Sequence, residues 1–174
     1  MEERKRRLLE GLWEQLKEQE FIGEGSLFTA DELGAPMDVL RAEIAEFGVE
    51  LTSVLGEFFF IPLDDEGILY FSVVITLLNE APKEAAADIA AATSRLNYYL
   101  PCGAYALGND DRTLVYRNTL PLSADISDEA LLKCMFTAAD VAVGAAEGTE
   151  GSLRLVIKNE ISVEEMVAMF TGSR

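Results

Sequence analysis

Residues 58–63 read Phe-Phe-Phe-Ile-Pro-Leu, residues 64–67 read Asp-Asp-Glu-Gly, and residues 68–78 read Ile-Leu-Tyr-Phe-Ser-Val-Val-Ile-Thr-Leu-Leu. Two aromatic and β-branched runs around a short turn that contains glycine are typical of a β-hairpin. The second run is apolar at both odd and even positions. It therefore predicts a central strand that is either covered on both faces or placed at an interface.

A second hairpin is predicted further along the chain. Residues 104–107 and 113–120 are apolar, and they flank the turn sequence Gly-Asn-Asp-Asp-Arg at 108–112. The strands thus come in antiparallel hairpins and not in alternating β-α-β units.

Helices are predicted before, between and after the hairpins. Leucines at three-to-four spacing predict a helix over about 3–19, and Pro82 begins an alanine-rich helix over 83–99. Ser127 has the position of an N-cap for a helix that extends to about Val143. Thr-x-x-Glu at 29–32 and Ser-x-x-Glu at 162–165 have the form of capping boxes, the second of which begins a final helix to about residue 170.

Three segments carry weaker signals. Residues 23–26, Gly-Glu-Gly-Ser, are expected to form a loop, and glycines 144, 148 and 151 are expected to interrupt the chain after the fourth helix. Residues 153–158 fit either a strand or a helix. Residues 37–47 have helix-forming residues but also alternate as a strand would.

The order of elements predicts an α+β fold, in which an antiparallel sheet of hairpins packs with helices. We expect three segments: an N-terminal helical extension over 1–34, an α+β domain over 35–145 and a C-terminal helical tail over 146–174. No internal repeat is visible.

The charge is strongly acidic. The 174 residues include 31 acidic and 14 basic side chains, which gives a net charge of −17. A field of this sign repels nucleic acid and anionic lipid and favours basic protein partners. With no apolar run long enough to span a bilayer and no secretory signal at the N-terminus, we expect a cytoplasmic protein that binds neither nucleic acid nor membrane.

The chemistry-bearing residues are few. The sequence contains no histidine, which excludes Ser-His-Asp and Cys-His catalysis. Cys102 and Cys134 lack metal-ligand spacing and lie among apolar residues, so we expect small buried side chains. The acids at 64–66 and 109–111 could bind a cation, but acidic residues at a hairpin tip are more often a solvated turn. We therefore expect no enzyme activity, no cofactor and no metal.

The stretch Arg-Leu-Asn-Tyr-Tyr-Leu-Pro-Cys-Gly-Ala-Tyr-Ala-Leu at 95–107 resembles the helix-to-strand joint of YbjN-type proteins. The strand at 112–117 and the helix start Ser-Asp-Glu-Ala-Leu-Leu at 127–132 follow as in that family. The resemblance covers about residues 37–145 and favours a strand over 37–47. It implies the fold of type III secretion chaperones, which are small acidic dimers that hold an extended segment of another protein.

We therefore expect a chaperone-like, protein-binding homodimer of unknown partner. Aromatic residues anchor interfaces, and on that ground the candidate contacts are Phe58, Phe60, Tyr70, Tyr98 and Tyr116. The alternative is an acidic inhibitor or immunity protein that mimics a polyanion and blocks a basic surface. A third class, a metal-dependent hydrolase, would need the acids of the hairpin tips.

One polar residue stands at the joint after the third helix. Asn97 could contact a ligand, but its amide would also satisfy backbone groups where the helix ends, which is the reading we favour.

Overall fold

A computed structural model describes residues 1–63, 67–108 and 112–172 of the chain. In these ranges the elements follow the order that an α+β chain of hairpins predicts. The helices are α1 (Glu2–Leu16), α2 (Ala30–Leu33), α3 (Ala86–Leu96), α4 (Asp128–Ile157) and α5 (Val163–Thr171), with a 3₁₀ turn at Lys83–Ala85 before α3. The strands are β1 (Ile22–Phe28), β2 (Val39–Phe47), β3 (Thr52–Phe60), β4 (Ile68–Leu78), β5 (Ala104–Leu107) and β6 (Leu114–Ser123).

The six strands form one antiparallel sheet in the order β1-β2-β3-β4-β6-β5. Both predicted hairpins are confirmed, and β4 is the central strand that its apolar sequence predicts. The predicted α+β fold class is therefore confirmed. The tips of the two hairpins, with the acids at 64–66 and 109–111, lie outside the described residues.

One core joins the helices to the sheet. Strand residues that point to the helices, such as Phe58, Phe71 and Ile75, are fully buried together with Leu12 of α1 and Met135 of α4. Burial of this apolar area is the main driving force for the fold.

The three predicted segments share this core. Leu8 and Leu12 come from the predicted extension, and Leu153 and Met166 come from the predicted tail, yet all four are buried with the central domain. The predicted boundary at residue 145 falls inside α4. The described chain is therefore not divided into separately packed parts at these boundaries.

The expected loop at 23–26 is wrong, because these residues lie in β1, where Gly25 and Ser26 pair with β2 after a shift in register at 23–24. Gly25 is required there by packing and not by a turn. A Cβ on Gly25 would lie 2.7 Å from the ring of Trp13 and 2.8 Å from the carbonyl oxygen of Arg41. Residues 39–47 form the strand that the family resemblance favours.

The expected interruption after Val143 is also wrong, since α4 continues unbroken to Ile157. A helical glycine costs about 1 kcal/mol relative to alanine, but Ala142, Ala146 and Leu153 bury one face of this helix. Gly151 has a packing role, since a Cβ there would lie 2.8 Å from Val49. Tertiary burial thus overrides the local cost.

A hydrogen bond and ion pairs join the C-terminal end of α4 to the turn between β2 and β3. Glu150 is buried, accepts a hydrogen bond from the backbone N–H of Val49 at 3.4 Å and pairs with Arg154. Arg154 also binds Glu50 at 2.9 Å. This network is the largest ionic contact between the helices and the sheet in the described chain.

Candidate protein-binding surfaces

The two faces of the sheet have different surroundings. Helices α1, α3 and α4 cover one face, α5 packs on α3 and α4, and no helix in the described part of the chain packs on the other face. Val39 shows the difference, because it is buried to 7% exposure and yet lies outside the core cluster. We call this second face the open face. Strand pairing places on it Phe28, Val39, Arg41, Glu43, Leu55, Glu57, Phe59, Tyr70, Ser72, Val74, Thr76, Val115, Arg117 and Thr119.

The centre of the open face is closely packed and mixes apolar and polar side chains. Phe59 and Val74 are half-buried, and Leu55 is 38% exposed. Ser72 has no exposed surface, although no helix covers it, and its hydroxyl lies 3.1 Å from that of Thr119. In the strand register Val74 lies between Glu57 and Arg117, and Phe59 lies beside Ser72.

The charges of the open face nearly balance one another. Arg41 donates to Glu57 at 2.8 Å, and its guanidinium lies 5.5 Å from the centroid of the Phe28 ring. The other charged residues of the central strands on this face are Glu43 and Arg117, one of each sign. With Glu24 at the β1 edge, the face has one more acidic than basic residue, on a chain whose net charge is −17.

A groove of about 740 Å³ continues the open face toward β1. Trp13, Phe28 and Leu55 supply its apolar lining, and Arg41 and Glu43 lie on its rim. The groove is wide and shallow. It suits a broad protein contact better than an enclosed small ligand.

A second surface lies between α4 and the edge of β6. We call it the α4–β6 groove, a mostly apolar recess of about 380 Å³. It is lined by Cys102, Asn118, Leu120, Lys133, Cys134, Thr137, Ala138 and Val141.

The shortness of β5 creates this groove. Pairing between β5 and β6 ends at Ala104 and Arg117, whereas β6 continues to Ser123 beside β4. Gly103 turns the chain away from the sheet with φ of +64°, and a Cβ there would lie 2.8 Å from the carbonyl oxygen of Arg117. A side chain at this position would be strained and crowded, so the turn requires glycine.

Asn97 stabilises the same turn, as the sequence reading favours. Its amide donates to the carbonyl oxygen of Tyr105 at 3.0 Å and accepts from the N–H of Tyr105 at 2.7 Å. The side chain therefore pairs with β5 as a strand would, and the structural role of Asn97 is confirmed.

Two buried tyrosines complete the joint. Tyr116 donates to the carbonyl oxygen of Cys102 at 2.6 Å, and Tyr105 donates to that of Ala146 at 3.0 Å. Burial raises the pKa of Tyr105 to about 12 and also raises the pKa of Tyr116. Both phenols are therefore neutral hydrogen-bond donors at physiological pH.

The structure separates the five predicted contact residues. Phe58, Phe60 and Tyr116 are buried in the helix-covered core, so their prediction as partner contacts is wrong for this fold. Strand alternation is the reason, because all three point to the helices. Tyr70 is half-buried on the open face, and Tyr98 is 84% exposed in the turn after α3. These two remain predicted contacts.

The surface residues that the sequence reading missed are the neighbours of those chosen. Phe59 lies between Phe58 and Phe60 but points to the opposite face, as do Leu55 and Val74. Apolar residues on both faces of β4 are the sequence signal for a surface of this kind. The sequence does not show which face the helices cover, so it does not show which of these residues stay exposed.

Metal and membrane sites have little support in the described residues. No group of three or more cysteine, aspartate or glutamate side chains is close enough there to hold a metal ion. Among the same residues, no helix combines the length and apolar character needed to cross a bilayer. The two acidic hairpin tips lie outside the described ranges, so the question of a cation there stays a prediction.

The sheet with helices on one face and apolar surfaces on the other defines an α+β protein whose accessible features are suited to protein contacts. A sequence model of the YbjN family, described as "Putative bacterial sensory transduction regulator", matches residues 35–147. This span is well over half of the chain, and the protein belongs to the YbjN family. None of the curated proteins is similar enough in sequence to match it.

Proposed function

We propose that this YbjN-family protein is a non-catalytic regulator that holds an apolar segment of another protein in the α4–β6 groove. The observation that carries the proposal is the apolar recess beside a strand edge that β5 leaves unpaired after Arg117. The family description, a regulator of sensory transduction, is compatible with action by binding. The activity is chaperone-like in the sense that it covers apolar surface of a partner.

The chemistry of the groove specifies the partner. Leu120, Cys134 and Val141 offer apolar contacts, whereas Asn118 and Lys133 offer polar atoms at the sides. Two partner side chains that bury roughly 200 Å² would contribute about 5 kcal/mol before the cost of ordering the segment. Because the whole chain carries −17, the favoured segment is flanked by basic residues, which the acidic field attracts.

The turn that leads into the groove adds aromatic surface. Tyr98 and Tyr99 are both exposed, with ring centroids 5.1 Å apart in an edge-to-face arrangement. The turn ends at Cys102, which lines the groove. Exposed tyrosines contribute large contact area at low entropic cost, so they extend the proposed site.

Two further statements belong to the proposal. We place the protein in the cytoplasm, supported by the two free thiols Cys102 and Cys134. We also keep the predicted homodimer, whose interface is considered below.

Site-specific photo-crosslinking in native cells tests the proposal. A photoreactive amino acid replaces Val141 or Cys134 in the groove, and Glu160 on an exposed acidic surface serves as the matched control. We expect both groove positions to crosslink to the same heterologous protein, within an apolar segment with basic flanks. The control position should not crosslink to it.

Two outcomes would contradict this function. Equal crosslinking from the groove and from Glu160 that disappears at high salt would favour the alternative, an acidic inhibitor that blocks a basic surface. Crosslinks from neither groove position, with the protein folded and present at its native level, would exclude the groove as a binding site.

A further inference from the structure

The open face has the composition of a surface that is covered in the working protein. Strand β4 is apolar on both faces, which predicts either cover on both sides or an interface. The helices cover Val73 and Ile75 completely, whereas Val74 between them is half-buried on a face that no described helix reaches.

We infer that a second copy of this chain covers the open face, so that two sheets pack face to face in a two-fold dimer. This inference deepens the homodimer kept in the proposed function and assigns it a surface. It is independent of the groove between α4 and β6, which lies on the helix side of the sheet.

Charge identifies a second copy as the occupant. Two chains of net charge −17 repel one another at any acidic surface. The central strands of the open face carry two arginines, Arg41 and Arg117, and two glutamates, Glu43 and Glu57, and Glu24 lies at the β1 edge. A basic partner would gain little from the central strands, whereas two acidic copies can meet there with little repulsion between like charges.

Two of the charges on the face are already paired within one chain. Glu57 binds Arg41 at 2.8 Å, and Arg41 lies over the ring of Phe28. Glu43 and Arg117 are exposed and have opposite signs. A two-fold interface places the same patch against itself, so Glu43 of one copy would be free to pair with Arg117 of the other.

The area of the face matches a stable dimer. Six strands lie about 4.8 Å apart, with four residues in β5 and 7 to 11 in each of the others, so at roughly 3.3 Å per residue they make a surface of about 24 by 28 Å. That is about 700 Å² per copy, close to the roughly 800 Å² that each partner buries in a standard interface. Two sheets that pack in this way lie about 10 Å apart with strands rotated by about 30°.

Sedimentation velocity with Val74→Glu tests the inference, with Met169→Glu as the matched control. Both substitutions place the same charge on an apolar side chain, but Met169 is 61% exposed on α5 and lies outside both the open face and the α4–β6 groove. We expect the wild-type chain of 19.1 kDa and Met169→Glu to sediment as dimers. The dimer of Val74→Glu should be about 30-fold weaker or more. Circular dichroism checks that each variant is folded.

A milder variant tests the same interface if Val74→Glu does not fold. Leu55→Lys changes a more exposed residue of the same face, and it should also weaken the dimer. Salt gives a second measurement on the unchanged protein. Raising the ionic strength should tighten the dimer, because it screens the repulsion between two acidic bodies and leaves the apolar contact in place.

The outcomes separate this inference from the proposals it rests on. A wild-type dimer that both open-face variants leave intact would overturn the interface and preserve the homodimer. A wild-type chain that stays monomeric at every concentration would overturn both. Neither result touches partner binding in the α4–β6 groove, which the crosslinking experiment tests by itself.

Discussion

On the helix-covered face of the sheet, Phe58 has no exposed surface, whereas Leu55 on the open face is 38% exposed. Both residues belong to β3. The face that the helices bury is almost wholly apolar, whereas the open face places apolar residues such as Leu55 and Phe59 among charged and hydroxyl side chains. The comparison teaches that apolar side chains serve stability where helices cover them and are left to the solvent or to a partner where no helix does.

The largest effect should come from adjacent phenylalanines on opposite faces. Phe58→Ala removes a ring from the core and should lower the free energy of unfolding by about 3–5 kcal/mol. Phe59→Ala removes the same atoms from the open face, and at low concentration it should cost about 1 kcal/mol, since little cavity forms. Urea denaturation measures both. Equal losses would show that the open face is packed as a core.

A smaller difference in stability is expected between removing an ion pair on the helix-covered side and removing one on the open face. Glu150 is buried at the end of α4 and binds Arg154 and the N–H of Val49. Glu150→Ala leaves these donors without their acceptor and should cost about 2–3 kcal/mol. Glu57→Ala breaks the pair with Arg41 on the open face and should cost less than about 1 kcal/mol. Thermal unfolding of the two variants checks the order.

Alkaline titration examines the helix-covered side alone. Burial raises the pKa of Tyr105 from 10.0 to about 12, so the unfolded chain loses this proton at lower pH than the folded chain. The contribution to stability is complete below pH 10 and is lost as the pH rises through about 12. Tyr105→Phe should reduce the slope of stability against pH in this window and leave the part that Tyr116 contributes. An unchanged slope would contradict the buried phenol.

The smallest effects should come from the two capping boxes, which differ in what their helices bury. Ser162 caps α5, which contributes Met166 to the core, whereas Thr29 caps α2, which buries no residue. Ser162→Ala should cost about 1 kcal/mol, and Thr29→Ala should cost less.

The dependence of stability on pH in the acid range provides a control for the predictions on the two capping boxes. The backbone N–H of Ser162 lowers the pKa of Glu165, and that of Thr29 lowers the pKa of Glu32. Each carboxylate therefore adds stability above the usual glutamate pKa, and this contribution disappears as the pH falls through the lowered value. Glu165→Gln removes the titrating carboxyl and should flatten the acid limb of the stability curve, whereas Ser162→Ala keeps the backbone N–H and should flatten it less. A larger effect of Thr29→Ala would reverse the expected order.

Local signals located most of the fold correctly. The hairpins, the capping boxes at Thr29 and Ser162 and the amide role of Asn97 follow from turn residues, N-cap chemistry and side-chain hydrogen bonding, all of which act within a few positions along the chain. The family resemblance at 95–107 was confirmed by the match over 35–147.

The binding surfaces were harder to find, since aromatic residues were chosen by type and not by direction. Phe58, Phe60 and Tyr116 point to the helices, whereas Phe59 and Val74 point away. The α4–β6 groove depends on where β5 ends and on the path of α4 beside β6. Neither the end of β5 nor the path of α4 can be predicted from a short stretch of sequence.

The sequence by itself determined the acidic charge, the absence of histidine, the paired strands and the alternation of side chains along each strand. Those properties depend on composition and on neighbours within a few residues. Only the tertiary structure decided which face of the sheet the helices cover, that 23–26 pair as a strand and that α4 continues through three glycines. Such choices depend on burial between residues far apart in sequence, and that burial outweighs the local preferences of the chain.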